Sequence, residues 1–303
     1  TGGEKFTSTV TGPINQQVEA QWGVMGDGRT AVIEMARASG LAMVPPRRRN
    51  PKTTTTLGTG QLLKEASEKG FNRVIVGLGG SATNDAGAGM ATALGAKFLD
   101  ASGNALPPGG AALDRLDRVD TSGMVEGLSS IEIVGATDVT NPLCGPTGAS
   151  AIFGPQKGAS PEVVAELDAA LLNFAQIVKR DIGQDVLDIP GAGAAGGLGA
   201  GLIAFAGAKL QSGIDMVCRV LEFDRHLEGA DLVFTGEGRA DLSTVFDKAP
   251  VGVARHAKAH GVPTVLLAGS LGEGHEQLYD HGVASVLCIS DGAMAFQQAL
   301  GRT

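Results

Sequence analysis

Residues 74–95, VIVGLGGSATNDAGAGMATALG, constrain the fold and chemistry of this chain more than any other segment. A β-branched apolar run leads into a loop of glycines, hydroxyls, an amide and a carboxylate, and an Ala/Gly-rich helix is predicted after it. Glycine lets backbone N–H groups approach an anion, and a helix N-terminus favours negative charge. A carboxylate such as Asp85 repels phosphate unless a proton or Mg²⁺ lies between them. The loop therefore indicates metal-assisted phosphoryl chemistry.

The same residues also fit the dinucleotide fingerprint G-x-G-x-x-A. Gly77, Gly79 and Ala82 supply it after the predicted strand, and Asp100 ends the next apolar run. A dinucleotide loop gains nothing from the clustered hydroxyls, amide and carboxylate, so this interpretation is the weaker one. A capped helix in a packed α/β sheet is compatible with either function.

Composition predicts a folded chain with aliphatic cores. The 303 residues are 43% hydrophobic and only 4% aromatic, which favours two ordinary domains. The 46 glycines follow no three-residue period, so they indicate tight turns and exclude collagen. A formal charge of -8 without a long basic stripe disfavours a nucleic-acid partner.

The three cysteines, Cys144, Cys218 and Cys288, are odd in number and lack the spacing of a metal site. They predict neither a disulfide framework nor a zinc site, and a reducing compartment fits them best. No apolar run reaches the length of a membrane span, and the first residues lack the pattern of a signal segment. We therefore expect a cytoplasmic protein without a membrane partner.

Alternation at the start of the chain, in FTSTVTGP, VEAQWGVMGD and TAVIEMA, predicts an antiparallel meander. A helix, GTGQLLKEASEKG, follows a cluster of three arginines and a run of four threonines. We interpret the arginines as a solvated loop and the threonines as turn and cap residues. Contact with an anionic ligand is the alternative for both groups.

A second buried strand, SIEIVGATDV, delivers Asp138 and Asn141 to a loop, and α/β proteins place their chemistry at such strand ends. Asp138 fits a metal-binding or hydroxyl-orienting residue and an Asx turn equally well. Lys157, between glycines in GPQKG, fits a phosphate contact and an exposed loop lysine equally well. The glycine-rich residues 191–201 carry no charge and favour close packing of two elements over ligand binding.

A third group of polar residues follows the predicted strand at residues 232–234. Glu237, Arg239 and Asp241 share one short loop framed by glycines, which favours a functional loop over a surface ion-pair cluster. Lys248 then begins a helix, and VPTVLLAGSL and ASVLCISDG are two further strands. This alternation is a doubly wound pattern.

Four segments together closely resemble the bacterial glycerate kinase type I family: GLGGSATNDAGAGMATALGA, ATDVTNPLCGPTGASAIFGPQKGA, PGAGAAGGLGAGL, and DLVFTGEGRAD with KAPVGVA after it. The resemblance spans nearly the whole chain. It implies ATP-dependent, Mg²⁺-assisted phosphorylation of D-glycerate, with 2-phosphoglycerate as the expected product. It also implies two α/β domains with the active site in the cleft between them. On this basis we expect residues 1–205 to form a mixed α/β domain with the Gly-rich loops, and residues 206–303 to belong to a doubly wound, Rossmann-like domain whose N-terminal strands are absent from this sequence.

Phosphoryl transfer in such a family needs carboxylates for Mg²⁺, and loop N–H groups and cations around the phosphates. The catalytic candidates are Asp85, Asp138, Glu237, Lys157 and Arg239. The candidates for contact with phosphate or substrate are Gly79, Gly80, Ser81, Thr83, Asn84 and Asn141. The candidate metal ligands are Asp138, Glu237 and Asp241.

Family members begin with a strand ending in D-S-F-K-G and a further A-D-G-G-E-G-T segment, and neither occurs in this sequence. We therefore expect an N-terminally incomplete version of the family, in which Asp247 stands where glycine is expected before Lys248. The expected partners are D-glycerate and ATP, and a homodimer is left open. A non-catalytic anion- or nucleotide-binding protein and an NAD-dependent oxidoreductase are the alternative functions.

Overall fold

The computed structural model describes residues 2–245 and 249–290 of the 303. The chain divides into two compact units, residues 1–211 and residues 212–303. The boundary predicted after residue 205 falls within the first unit, because the strand Lys209–Gln211 pairs with that unit's sheet. Among the described residues, no helix is both long and apolar enough to cross a membrane.

The first unit is built on a six-stranded mixed sheet in the order β1-β2-β3-β4-β7-β8, and β5 and β6 pair separately. The strands are β1 (Glu4–Thr11), β2 (Gln17–Val24), β3 (Thr30–Glu34), β4 (Arg73–Gly77), β5 (Lys97–Leu99), β6 (Arg118–Asp120), β7 (Glu132–Ala136) and β8 (Lys209–Gln211). The predicted antiparallel meander is confirmed in β1, β2 and β3. In contrast, β3, β4, β7 and β8 run parallel, so the loops after β4 and β7 leave the same edge of the sheet.

The helices of the first unit are α1 (Ala36–Ser39), α2 (Leu57–Glu68), α3 (Ala88–Ala93), α4 (Ala149–Phe153), α5 (Pro161–Ile182) and α6 (Ala194–Ala206). The predicted scaffold helix is α5. Ser160 caps its N-terminus, Pro161 takes its first position, and Gly183 ends it at φ +72°. Its buried face includes Phe174, which packs against Phe98 and Phe205. A fully buried side chain of this size stabilises the fold by about 1.5–3 kcal/mol.

The chain does not form the dinucleotide-binding unit that G-x-G-x-x-A could indicate. That unit requires the strand after the loop helix to return parallel to the first strand. Here β5, which follows α3, leaves the large sheet and pairs antiparallel with β6. Asp100 therefore lies in a turn, where its carboxylate accepts the N–H groups of Ser102 and Asn104. The oxidoreductase alternative loses its structural basis.

The second unit contains a three-stranded sheet in the order β11-β10-β9, and all pairs are parallel. Its elements are α7 (Gly213–Val220), α8 (Phe223–Leu227), β9 (Val233–Glu237), α9 (Ala249–Ala259), β10 (Thr264–Ala268) and β11 (Val283–Cys288). The parallel order agrees with the predicted doubly wound pattern. β9 is longer than predicted, because Thr235, Gly236 and Glu237 also pair with β10. Asp247 and Lys248 lie outside the described residues.

The two faces of this small sheet differ. Leu266 and Ala268 are buried with Val251 and Ala254 of α9. On the other face, Phe234, Leu267 and Leu287 are 62%, 37% and 50% exposed. The second unit thus presents apolar side chains from all three strands to solvent.

Candidate active site

A cavity of about 320 Å³ opens at the carboxyl ends of β4 and β7. It brings together four residues that the sequence predicts for the site, Gly79, Gly80, Ser81 and Asp138. Gln156, in the turn after α4, also lines it. A volume of this size, with a few convergent polar groups, suits a small-molecule ligand.

Three consecutive backbone N–H groups at this cavity, those of Gly79, Gly80 and Ser81, meet no acceptor in the part of the chain that the structure describes. The N–H groups on either side are paired with the carbonyls of Ala136 and Ser39, which anchors the loop at both ends. Gly80 turns the backbone at φ +70°, a conformation that favours glycine. Unpaired N–H groups in succession can bind an anion. We call residues 79–81 the anion cradle.

Asp85 follows the anion cradle, and its side chain is fully buried. Its carboxylate accepts the N–H and the hydroxyl of Thr56 at 2.8 and 2.9 Å and the N–H groups of Gly87 and Gly89 at 3.2 and 3.3 Å. These bonds tie together the starts of α2 and α3. Burial raises the pKa of Asp85, and the hydrogen bonds from Thr56 and the glycines oppose that shift.

That the N-terminus of α3 favours an anion stays a prediction, although its N–H groups have partners within the chain. The first-turn N–H groups of this helix are already taken by Asp85 and by the Thr56 hydroxyl, which accepts from Met90. The catalytic role predicted for Asp85 stays a prediction. Its position is that of a residue that shapes the loop.

Thr83, Asn84 and Lys157 are buried, and none of them lines the cavity. Lys157 Nζ donates to the Thr83 carbonyl at 2.7 Å, and Asn84 Nδ2 donates to Ser150 Oγ at 3.0 Å. Burial lowers the pKa of Lys157 to about 7, although the charge of Asp85 opposes this. The exposed-lysine interpretation is therefore wrong, whereas the phosphate contact stays a prediction.

The threonine run and the glycine-rich segment support the loop. Thr54 Oγ1 donates to the Ala82 carbonyl at 2.8 Å, which agrees with the structural interpretation of the threonines. A Cβ on Gly196 would lie 1.9 Å from the Thr83 carbonyl oxygen, so the predicted close packing is confirmed. The helix starts inside this segment, and Ala195 lines the cavity at φ +55°. No sequence signal marks Ala195, because alanine rarely adopts a positive φ.

Two other predicted contacts lie outside the cavity lining. Asn141 donates its amide to the Thr147 carbonyl at 2.8 Å and so organises its own loop. Among the arginines, Arg47 and Arg48 are exposed as predicted. Arg49 is partly buried, and its Nη1 donates to the carbonyl of Gln156 at 3.4 Å.

In the second unit, Glu237, Arg239 and Asp241 gather at the carboxyl end of β9. Arg239 Nε lies 3.2 Å from an Asp241 carboxylate oxygen, and Gly269 donates its N–H to the Glu237 carbonyl at 3.1 Å. Within residues 2–245 and 249–290, no three His, Cys, Asp or Glu side chains are grouped to hold a metal ion. The metal roles of Asp138, Glu237 and Asp241 therefore stay predictions.

Comparison with known proteins decides the family. The model of the glycerate kinase family matches residues 1–303. The chain belongs to the glycerate kinase family. A kinase family implies a nucleotide substrate, and the family resemblance inferred from the Gly-rich loops is confirmed.

Members of the glycerate kinase family align over almost the whole chain. Glycerate 2-kinase of Escherichia coli K12 is 49% identical over 95% of this chain and 76% of that protein. A glycerate kinase of Halalkalibacterium halodurans is 47% identical over 98% of this chain and 78% of that protein. A crystal structure described as glycerate kinase 2 of Salmonella typhimurium LT2 covers 100% of this chain and 79% of its own, with a TM-score of 0.82 and 47% identity. The predicted two-domain α/β fold class is confirmed.

Proposed function

We propose that this chain transfers the γ-phosphoryl group of ATP to D-glycerate and yields 2-phosphoglycerate. The whole-length match to the glycerate kinase family carries the proposal. The cavity supports it, because an anion cradle and a carboxylate meet at the carboxyl ends of the parallel strands β4 and β7. Glycerate and ATP are both anionic, so a cradle of N–H groups suits either one.

In this proposal the backbone of the anion cradle and the side chain of Asp138 have separate roles. Gly79, Gly80 and Ser81 bind an anionic oxygen of the nucleotide or of glycerate with N–H groups that are already oriented. Asp138, which lines the same cavity, accepts a hydrogen bond from the acceptor hydroxyl or holds the cation. A phosphoryl transition state needs little early proton abstraction, so orientation matters more than a strong base.

Asp138 beside the anion cradle fits Mg²⁺, which proteins hold through one or two carboxylates together with phosphate oxygens and waters. When bound, Mg²⁺ supplies charge neutralisation to the transferring group. For the loop after β9 in the second unit we propose metal-binding roles for Glu237 and Asp241 and an electrostatic role for Arg239. A cytoplasmic location belongs to the same proposal, since Cys144 and Cys218 form no disulfide.

The test is ADP release with ATP, Mg²⁺ and D-glycerate, with the product position read by phosphorus NMR. We expect turnover by the wild type and a loss on the order of 10²-fold or more in kcat/KM for Asp138→Asn. Asp114→Asn, the same change at an exposed carboxylate outside the cavity lining, is the matched control and should leave kcat/KM unchanged. A folded wild type without ADP release contradicts the proposal.

A further inference from the structure

Among the basic residues that the structure describes, Lys157 is the one that is buried, with only 1% of its surface exposed. It ends the short 3₁₀ helix Pro155–Lys157, directly after Gln156. Gln156 lines the cavity and Lys157 does not. The ammonium therefore lies behind the cavity wall.

The contacts of this ammonium are directed at the loop backbone. Its single hydrogen bond within the described residues is the 2.7 Å bond to the Thr83 carbonyl. That length is typical of a charge-assisted bond, which is roughly twice as strong as a neutral one. Burial lowers the pKa of Lys157 to about 7, and the charge of Asp85 opposes this shift, so the loop holds both the acceptor and a counter-charge for the protonated form.

Two side-chain oxygens at this point of the loop do not help to fix its path. Thr83 Oγ1 and Asn84 Oδ1 are buried and have no hydrogen-bond partner among the residues that the structure describes. Unpaired buried oxygens are unfavourable by about 1–3 kcal/mol each. The loop therefore depends in part on bonds that other segments make to its backbone, and Lys157 supplies one of these bonds.

We propose that Lys157 is a positioning residue, which holds the Thr83 carbonyl and thereby sets the direction of the N–H groups in the anion cradle. The proposal rests on the function proposed above for the cradle. Because Lys157 follows Gln156, its bond also joins two walls of the same cavity. A residue that binds phosphate would contact the nucleotide directly, whereas a positioning residue acts through the loop. The two roles therefore predict different kinetics.

The kinetic test compares Lys157→Met and Lys157→Ala with Lys5→Met, a control at an exposed lysine on β1. We expect the two Lys157 variants to lose about 10- to 100-fold in kcat with KM for ATP changed less than about threefold, since misplaced groups impair reaction more than binding. In the Lys157→Ala variant, n-propylammonium should restore part of kcat, and tetramethylammonium, which has no N–H donor, should not. A rise in KM for ATP at unchanged kcat would assign Lys157 to the phosphate instead and overturn the proposal.

Hydrogen exchange gives a second readout that does not need turnover. The N–H groups of Ala82 and Ala86 are bonded to the Ser39 and Gly196 carbonyls, so their exchange reports the order of the loop. We expect exchange of both amides to be at least about tenfold faster in Lys157→Met than in the wild type or Lys5→Met. Unchanged protection in a folded Lys157→Met overturns the positioning role, even if the wild type proves inactive and the proposed function fails.

Discussion

Burial makes Lys157 titrate differently in the folded and unfolded chain. Its folded pKa is lowered from 10.5 to about 7 because the ammonium is desolvated. Between these two values the unfolded chain holds a proton at this residue that the folded chain lacks. The free energy of unfolding therefore rises with pH across this window, whereas below about pH 7 both states are protonated and the contribution is constant.

We predict that replacing Lys157 with methionine removes this pH dependence of the free energy of unfolding. Up to about 1.4 kcal/mol per pH unit comes from one such group, so the wild type should become more stable relative to Lys157→Met between about pH 7 and pH 9. Urea unfolding of both proteins across this range measures the difference, in which the other titrating groups cancel. Parallel stability curves for the two proteins would contradict the burial of the ammonium.

At the scale of elements, the first turn of α6 packs against the loop that contains Thr83, and Gly196 makes this close approach possible. Gly196 has φ +71°, and a Cβ there would lie 1.9 Å from the Thr83 carbonyl oxygen. Lys157 and Gly196 thus approach the same carbonyl group, one by a hydrogen bond and one by close packing. The uncharged glycine-rich residues 191–201 and the buried Lys157 therefore both contact the loop that contains Thr83.

Replacement of Gly196 by alanine should destabilise the protein by about 3 kcal/mol or more, because a positive φ and a backbone clash act together. Gly183→Ala is the matched control: its φ is +72°, but nothing lies within 4 Å of the new Cβ. This control should lose only about 1 kcal/mol. Denaturant unfolding of both variants gives the comparison, and equal losses would show that the contact with Thr83 is unimportant.

The sequence predicts individual strands and loops better than it predicts the contacts between distant segments. Alternation gives β1 to β3, and the end of β4 marks the anion cradle, since these signals lie within one short segment. The rule that parallel strands share a carboxyl edge also places Asp138 beside the cradle. In contrast, the bond from Lys157 to Thr83 spans 74 positions, and no local pattern reports such a contact. The antiparallel pairing of β5 with β6 is missed for the same reason.

At the scale of the whole molecule, the open face of the second unit's sheet stands out. Parallel sheets are usually covered on both faces, yet Phe234, Leu267 and Leu287 are exposed here. Contiguous apolar side chains of this kind bind other apolar surfaces. The homodimer that the sequence leaves open stays untested.

We predict that the wild type increases the fluorescence of a hydrophobic dye and that the double substitution Phe234→Gln, Leu287→Gln reduces it. The free energy of unfolding should change by less than about 1 kcal/mol, because both side chains already face water. Leu266→Gln, on the buried face of β10, should instead destabilise the chain by several kcal/mol, about 3 or more. Dye fluorescence that is equal in the wild type and the double variant would contradict an open face.

The order of strands also governs when the site can form during synthesis. The large sheet is completed by β8, whose Leu210 pairs with Gly135 of β7, and the cavity needs Ala195. A ribosome adds about 5–20 residues each second, so on the order of ten seconds separate the emergence of the anion cradle from that of β8. During this interval the nascent chain exposes the apolar faces of β4 and, once it has emerged, of β7, and it is then that a chaperone has the most to protect.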